Sequence, residues 1–218
     1  MMTSGDRTVG DCLDVLDEVA GLGLRHIGFK DVGVAPEVLG ALHRRIKQTG
    51  ATSYLEVVSL TLESTRRSAR AALRLGVDRV LGGGDVAAVL TEIGHAAGIE
   101  YFPFAGRPEG HPTMLRGSPE EIAADCRRAD ELGCAGVDLL AFRSIASPPL
   151  ELVGAARRAL RGKLIVAGSV DSSARVRELD ALDVDGFTVG TALFERRFVP
   201  GEPSLRAQVA AVLAASRP

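Results

Sequence analysis

From one end to the other the chain alternates short β-branched or apolar runs with longer segments of helical period, and that alternation builds a parallel sheet covered by helices. The runs at 26–30, 53–58, 78–81, 100–104, 137–142, 164–167 and 186–189 are predicted strands. The spacing predicts a first helix over 8–20, with Thr8 and Asp11 as its capping signal and the glycines at 21 and 23 as its stop. Pro36 opens the next helix as a first-turn proline, and Gly50 ends it. Further helices are predicted over 62–75, from Asp85 to Gly98, from the Ser118-Pro119-Glu121 capping box to Leu132, and over 150–160, 174–182 and 205–215.

Seven strands, each followed by a helix and recurring every 20 to 40 residues or so, with no linker or composition shift, predict one domain over residues 1–218. An open doubly wound sheet would carry a GxGxxG or GxxxxGK[ST] turn after a strand, and none is present. The expected fold is therefore an α/β (β/α)8 TIM barrel whose first strand is short or missing. Met1-Met2-Thr3-Ser4 is the candidate for it and falls short of an ordinary strand of about five residues. It either serves as a truncated strand or leaves a seam between the strand at 26–30 and the last one, and the true start of the chain is expected upstream of Met1.

Composition excludes several classes. A net charge of −2 leaves no basic surplus for a phosphate backbone, and Arg66-Arg67 and Arg157-Arg158 fall on helical patterns, so nucleic acid is not expected as a partner. No apolar run approaches the roughly 18 residues of a membrane span, and residues 1–7 lack the apolar core of a signal peptide. A cytoplasmic protein without membrane contact is expected. Cys12, Cys126 and Cys134 show neither CxxC nor Cys/His ligand spacing, so they read as buried thiols. No metal and no organic cofactor is implied.

Barrels place their chemistry at the C-terminal ends of the strands. Period two turns Ile27 and Phe29 toward the helices and His26, Gly28 and Lys30 toward the lumen, and likewise Leu55 and Val57 outward and Tyr54 and Glu56 inward. Asp138 shares a face with Leu140 and Phe142, and a mid-strand carboxylate fits poorly against a helix, so it too points inward. Lys30, Glu56 and Asp138 are then expected to meet in the mouth. An ammonium among carboxylates in a dry cavity suits Schiff-base formation or proton transfer. The alternative is an ion pair that only fills the lumen. The background of 23 arginines against three lysines weighs modestly toward chemistry, because lysine is the cation that can lose its proton.

A second constellation lies in the loops at 167–171 and 189–193, the two strand ends where barrels frequently bind phosphate. Gly168 and Gly190 let the backbone approach an anion, and the Ser169 and Thr191 hydroxyls add donors. The alternative is that the glycines only make tight turns while the hydroxyls cap helices. The stretch from Gly186 to Glu195, following Ile165-Val-Ala-Gly-Ser-Val-Asp171, resembles the C-terminal quarter of the ribulose-phosphate-binding barrels, such as the phosphoribosyl isomerases of histidine and tryptophan synthesis and the N-acylmannosamine-6-phosphate epimerases. The resemblance implies that Gly168, Ser169, Gly190 and Thr191 hold a substrate phosphate. The chain departs from the phosphoribosyl isomerases in its first strand, where their general base lies, and from the keto-deoxy-phosphogluconate aldolases in having no lysine on the sixth.

Arg107, His111 and Arg116 on the long 105–117 loop are candidates for a lid, Arg143 for holding a substrate carboxylate, and Asp171 for a further substrate contact. Gly82-Gly83-Gly84 is a weak anion nest. His26 and His43 read as structural, and His95 as a cap at a helix end. The reading is a lyase or isomerase/epimerase of a small phosphorylated carbonyl compound, with Lys30 and Glu56 as its Schiff-base or acid/base pair. The alternatives are a phosphate-ligand sensor resembling the glycerol-operon antiterminator barrels, and a degenerate barrel kept as a dimer partner, so a homodimer stays open.

Overall fold

A computed structural model describes residues 1–58, 61–94 and 98–216, and His95 lies outside the described residues. The parallel ladder begins with β3 (His26–Lys30) beside β4 (Thr52–Val57), then β5 (Arg79–Gly82) and β6 (Glu100–Phe102). A second ladder runs β9 (Gly136–Leu139), β10 (Lys163–Val166), β11 (Gly186–Phe187). The two join where Phe104 bridges Asp138, with Asp138 N–H donating to the Pro103 carbonyl at 2.8 Å and Ala135 N–H to that of Tyr101 at 2.9 Å.

At the other edge the N-terminal residues reach both β3 and the end of β11. Met2 N–H donates to the Gly28 carbonyl at 2.7 Å, and the Met1 nitrogen to that of Val189 at 2.8 Å. The first strand is short, as the sequence predicts: β1 (Thr3–Ser4) pairs antiparallel with β2 (Arg7–Thr8). Below it, a second cavity of about 610 Å³ opens between β3, β11 and the flanking helices, with Ile27, Val15, Leu179, Phe187 and Val209 in its wall.

Helix signals that are local in sequence hold in three dimensions. In α2 (Pro36–Gln48) proline occupies the first turn, and α3 (Leu62–Leu75) stops at Gly76, whose φ of 72° is left-handed. In α5 (Pro119–Glu131) both halves of the Ser118/Glu121 capping box form. One expected cap is not made. Helix α1 (Cys12–Val19) begins four residues after Thr8, which belongs to β2 and uses its hydroxyl to donate to the Lys30 carbonyl at 2.7 Å and accept from Lys30 N–H at 2.8 Å. The backbone of the neighbouring strand end competes successfully for that hydroxyl. Helix α4 (Val86–Ile93) ends at Gly94, short of the expected Gly98, because Gly94 already takes a left-handed φ of 61°.

The expected 105–117 loop holds an antiparallel hairpin, β7 (Arg107–Glu109) with β8 (Met114–Arg116). The strand predicted at 137–142 stops at Leu139, and Ala141–Arg143 makes a 3-10 turn before α6 (Pro149–Ala159). After α7 (Ser173–Asp180) and β11 comes a four-residue helix that the pattern did not predict, α8 (Thr191–Phe194), and then α9 (Leu205–Ala215). Side chains divide as period two requires. Ile27, Phe29, Leu55 and Val57 join the large core under the helices, and Tyr54, Leu81, Phe102 and Ile165 form a smaller cluster in the lumen. All three cysteines are free and buried.

Candidate active site in the mouth of the barrel

Lys30 is the last residue of β3, directly across from Glu56 on β4, so the ladder sets their side chains next to each other. The Lys30 ammonium lies 3.2 Å from Glu56 Oε1 and 2.9 Å from Asp6 Oδ1, and all three side chains are more than nine-tenths buried. Asp6 is a site residue that the strand pattern misses. It occupies the second position of a two-residue turn between β1 and β2, with φ of 54° at Gly5 and 59° at Asp6, the signature of a type I′ hairpin. The Gly-Asp pair between the 3–4 and 7–8 runs is the signal that could have found it. A carboxylate therefore stands in the mouth just after the first strand, where sequence reading placed almost nothing.

Burial alone would raise the Asp6 carboxyl, but the Lys30 ammonium beside it, with Arg143 and the Thr113 N–H, holds it well below the usual carboxylate range. Arg143 Nη1 donates to both Asp6 oxygens, at 3.0 and 3.1 Å, and to the Thr113 carbonyl at 3.2 Å. Asp138 behaves in the opposite way. It is fully buried, neither of its oxygens has a hydrogen-bond partner, and burial, reinforced by the nearby Glu56 charge, pushes its carboxyl well above the ordinary range against the pull of Lys30 and Arg143. Asp138 is close enough to feel both charges, but it is not in the wall of the mouth cavity that Lys30, Glu56 and Asp6 line.

Lys30, Glu56 and Asp6 form one wall of a cavity of about 240 Å³ whose other wall includes Gly168, Ser169, Gly190, Thr191, Arg143 and Arg197. Backbone conformation explains the glycines. Gly168 and Ser169 have φ of 74° and 57°, and a Cβ on Gly168 would lie 2.6 Å from Arg143 Nε. At Gly190 a Cβ would lie 2.6 Å from Thr3 Oγ1. Thr191 starts α8, and its hydroxyl accepts from Gly5 N–H at 3.3 Å.

Other predicted residues lie elsewhere. Arg107 is exposed on β7 and paired with Glu121, and Arg116 is paired with Glu109 across the hairpin, because acidic partners sit close to both. His111 is exposed at the hairpin tip, where its neighbours Pro112 and Met114 are the ones that line the cavity. Asp171 is not in the cavity wall, since Arg175 at 2.8 Å and Arg197 at 3.9 Å draw its carboxylate aside. The glycine triplet is no free nest: Gly83 N–H donates to the Val57 carbonyl at 2.9 Å, and the Gly82 carbonyl accepts from Tyr101. His26 meets the Tyr54 hydroxyl at 3.0 Å, and both line the second cavity instead. Among the described residues no group of His, Cys, Asp and Glu side chains is placed to hold a metal ion, and no helix is long and apolar enough to cross a membrane.

No family model and no curated protein matches the chain. Its likeness is to solved structures. Orotidine 5′-phosphate decarboxylase from Pyrococcus horikoshii aligns with a TM-score of 0.66 at 18% identity, over 95% of this chain and 93% of that one. The BexX/CysO complex of Amycolatopsis orientalis aligns at 0.65 and 22% over 95% and 86%, and thiamine phosphate pyrophosphorylase from Pyrococcus furiosus at 0.62 and 16% over 94% and 88%. At these identities the likeness is one of fold. The fold that these structures share with the chain is a TIM barrel.

Proposed function

We propose that the cavity is the active site of a lyase or isomerase/epimerase acting on a small phosphorylated carbonyl compound. The observation that carries this reading is that Lys30 and Glu56 share one cavity of about 240 Å³ with Gly168, Ser169, Gly190 and Thr191. The volume lies below the roughly 300 to 1,000 Å³ of pockets for drug-sized ligands, which favours a compact substrate. Phosphate would rest on the loops after β10 and β11, between their N–H groups, the Ser169 and Thr191 hydroxyls and the Arg143 and Arg197 guanidinium groups.

The substrate carbonyl would then face Lys30. An unprotonated lysine amine adds to a carbonyl carbon and, with loss of water, forms a Schiff base that draws electrons from the adjacent carbon. Glu56, 3.2 Å from the amine, is placed to accept and return the protons of those steps. If no covalent bond forms, the same pair moves a proton next to the carbonyl, which is isomerase chemistry.

The test is borohydride trapping with glyceraldehyde 3-phosphate or dihydroxyacetone phosphate, followed by mapping of the adduct. The expected adduct is on Lys30 and is absent from Lys30→Arg; an adduct on Lys47 or Lys163 instead overturns the assignment. Inorganic phosphate should raise the melting temperature, by an amount equivalent to about 2.7 kcal/mol at one hundred times Kd. Thr191→Asp should abolish that rise. A phosphate shift that persists in Thr191→Asp removes the phosphate loops from the reading. A phosphate shift with neither adduct nor turnover selects the sensor.

A further inference from the structure

We infer that Asp6 is a positioning residue that ties the tip of the β7–β8 hairpin to Lys30, so that covering the mouth and holding the lysine depend on one carboxylate. Its left-handed backbone turns the side chain inward, and Asp6 is only 4% exposed. Oδ1 takes the Lys30 ammonium at 2.9 Å, while Oδ2 accepts the backbone N–H of Thr113 at 3.1 Å. Arg143 Nη1 bonds both oxygens and also reaches the Thr113 carbonyl, so the Asp6–Arg143 pair holds both backbone polar groups of one residue in the hairpin tip.

The base of the hairpin is secured independently. Gly106 N–H donates to Asp125 at 2.8 Å, and Ile145 N–H to the Leu115 carbonyl at 3.1 Å. The tip is different. Thr113 is buried between exposed Pro112 and half-buried Met114, both of which border the cavity, so the hairpin crosses the mouth at the residue that Asp6 holds. With its oxygens engaged by an ammonium, a guanidinium and an N–H, Asp6 is badly suited to take a proton from substrate, and it acts through the groups that it fixes. The hairpin half of the inference stands on these bonds alone; the lysine half rests on Lys30 being the reacting amine.

Hydrogen exchange separates the two halves. In the wild-type chain the Thr113 amide should exchange at least about tenfold more slowly than the amides of Gly110 and His111. Equal rates overturn the latch. Asp6→Asn removes the charge, and Asp6→Gly removes the side chain while suiting the left-handed turn, so at least one variant retains the β1–β2 turn. In both, exchange at the tip, Thr113 and Met114, should accelerate about tenfold while the hairpin base, β4 and β10 keep their wild-type protection. Unchanged exchange at Thr113 overturns the latch. The second readout is the pH profile of Lys30 acylation by acetic anhydride, mapped by mass spectrometry. With Asp6 neutralised, and Glu56, Asp138 and the Met1 amine still near Lys30, the midpoint should move to lower pH, because a stabilising negative charge is gone. A midpoint that stays in place overturns the coupling to Lys30, whatever the borohydride experiment finds.

Discussion

Asp138 shows at the scale of one residue how a strand can hold a group at odds with its surroundings. Its backbone is well bonded in the barrel, yet its carboxyl oxygens are buried without partners. A raised folded-state pKa has a definite sign in stability. The folded chain keeps a proton that the unfolded chain has released, so stability falls as pH climbs from the ordinary aspartate value of about 3.9 toward the folded value, by up to about 1.4 kcal/mol per pH unit. Asp138→Asn keeps the shape and cannot ionise. It should melt close to the wild type near pH 4 and above it at pH 7 to 8, since each 1 kcal/mol gained raises the melting temperature by about 2 to 4 °C. Parallel melting curves with a constant gap at every pH would show that Asp138 is ionised in the folded chain. Asp6 has the reverse sign: its depressed pKa stabilises the fold above the unfolded value, and that stabilisation is lost as pH falls through the folded one.

At the scale of elements, the start of helix α5 also secures the base of the hairpin. Its start depends on a reciprocal cap, in which Ser118 accepts from Glu121 N–H at 3.3 Å and Glu121 accepts from Ser118 N–H at 2.8 Å. Glu121 also pairs with Arg107 of β7, so the capping box anchors the base of the hairpin as well as the helix. Because the pair is exposed, its charge contributes little, and the cap carries the effect. Ser118→Ala should cost about 1 kcal/mol, or about 2 to 4 °C in melting temperature. Exchange at the hairpin base should rise in the same variant, without the loss at Thr113 that removing Asp6 causes. Melting equal to the wild type would show that water satisfies the freed N–H as well as the serine does.

For the whole molecule the decisive feature is the junction of the N-terminal strand with β3 and the end of β11. Two residues of strand do what a longer one does in an ordinary barrel, and close approach of backbones makes that tolerable. Gly190 has φ −132° and ψ −93°, and a Cβ there would meet Thr3 Oγ1 at 2.6 Å and the Thr3 carbonyl at 2.9 Å. Gly190→Ala should therefore displace β1 and cost about 2 to 3 kcal/mol, a fall of about 5 to 10 °C. Gly186→Ala, four residues earlier with nothing within 4 Å of the new Cβ, serves as the control and should stay within about 0.5 kcal/mol of the wild type. If the two variants melted alike, close contact at the junction would not be what keeps Gly190 a glycine.

Alternation of strand and helix, proline at the start of α2, glycine after α3 and the capping box of α5 were legible because each is decided within a few residues of chain. Period two was enough to aim Lys30 and Glu56 at the lumen, and the glycines after the last two long strand runs marked the loops facing them. Thr8 was misread for the converse reason. Its hydroxyl was free to cap a helix locally, and the Lys30 backbone, 22 residues away, claimed it. Asp6 carries the same lesson further, since its partners lie 24, 107 and 137 residues along the chain. Local geometry makes the turn that presents its carboxylate, but only closure of the barrel brings Lys30, Thr113 and Arg143 to it. Burial there turns three ordinary side chains and one peptide N–H into a single charged cluster.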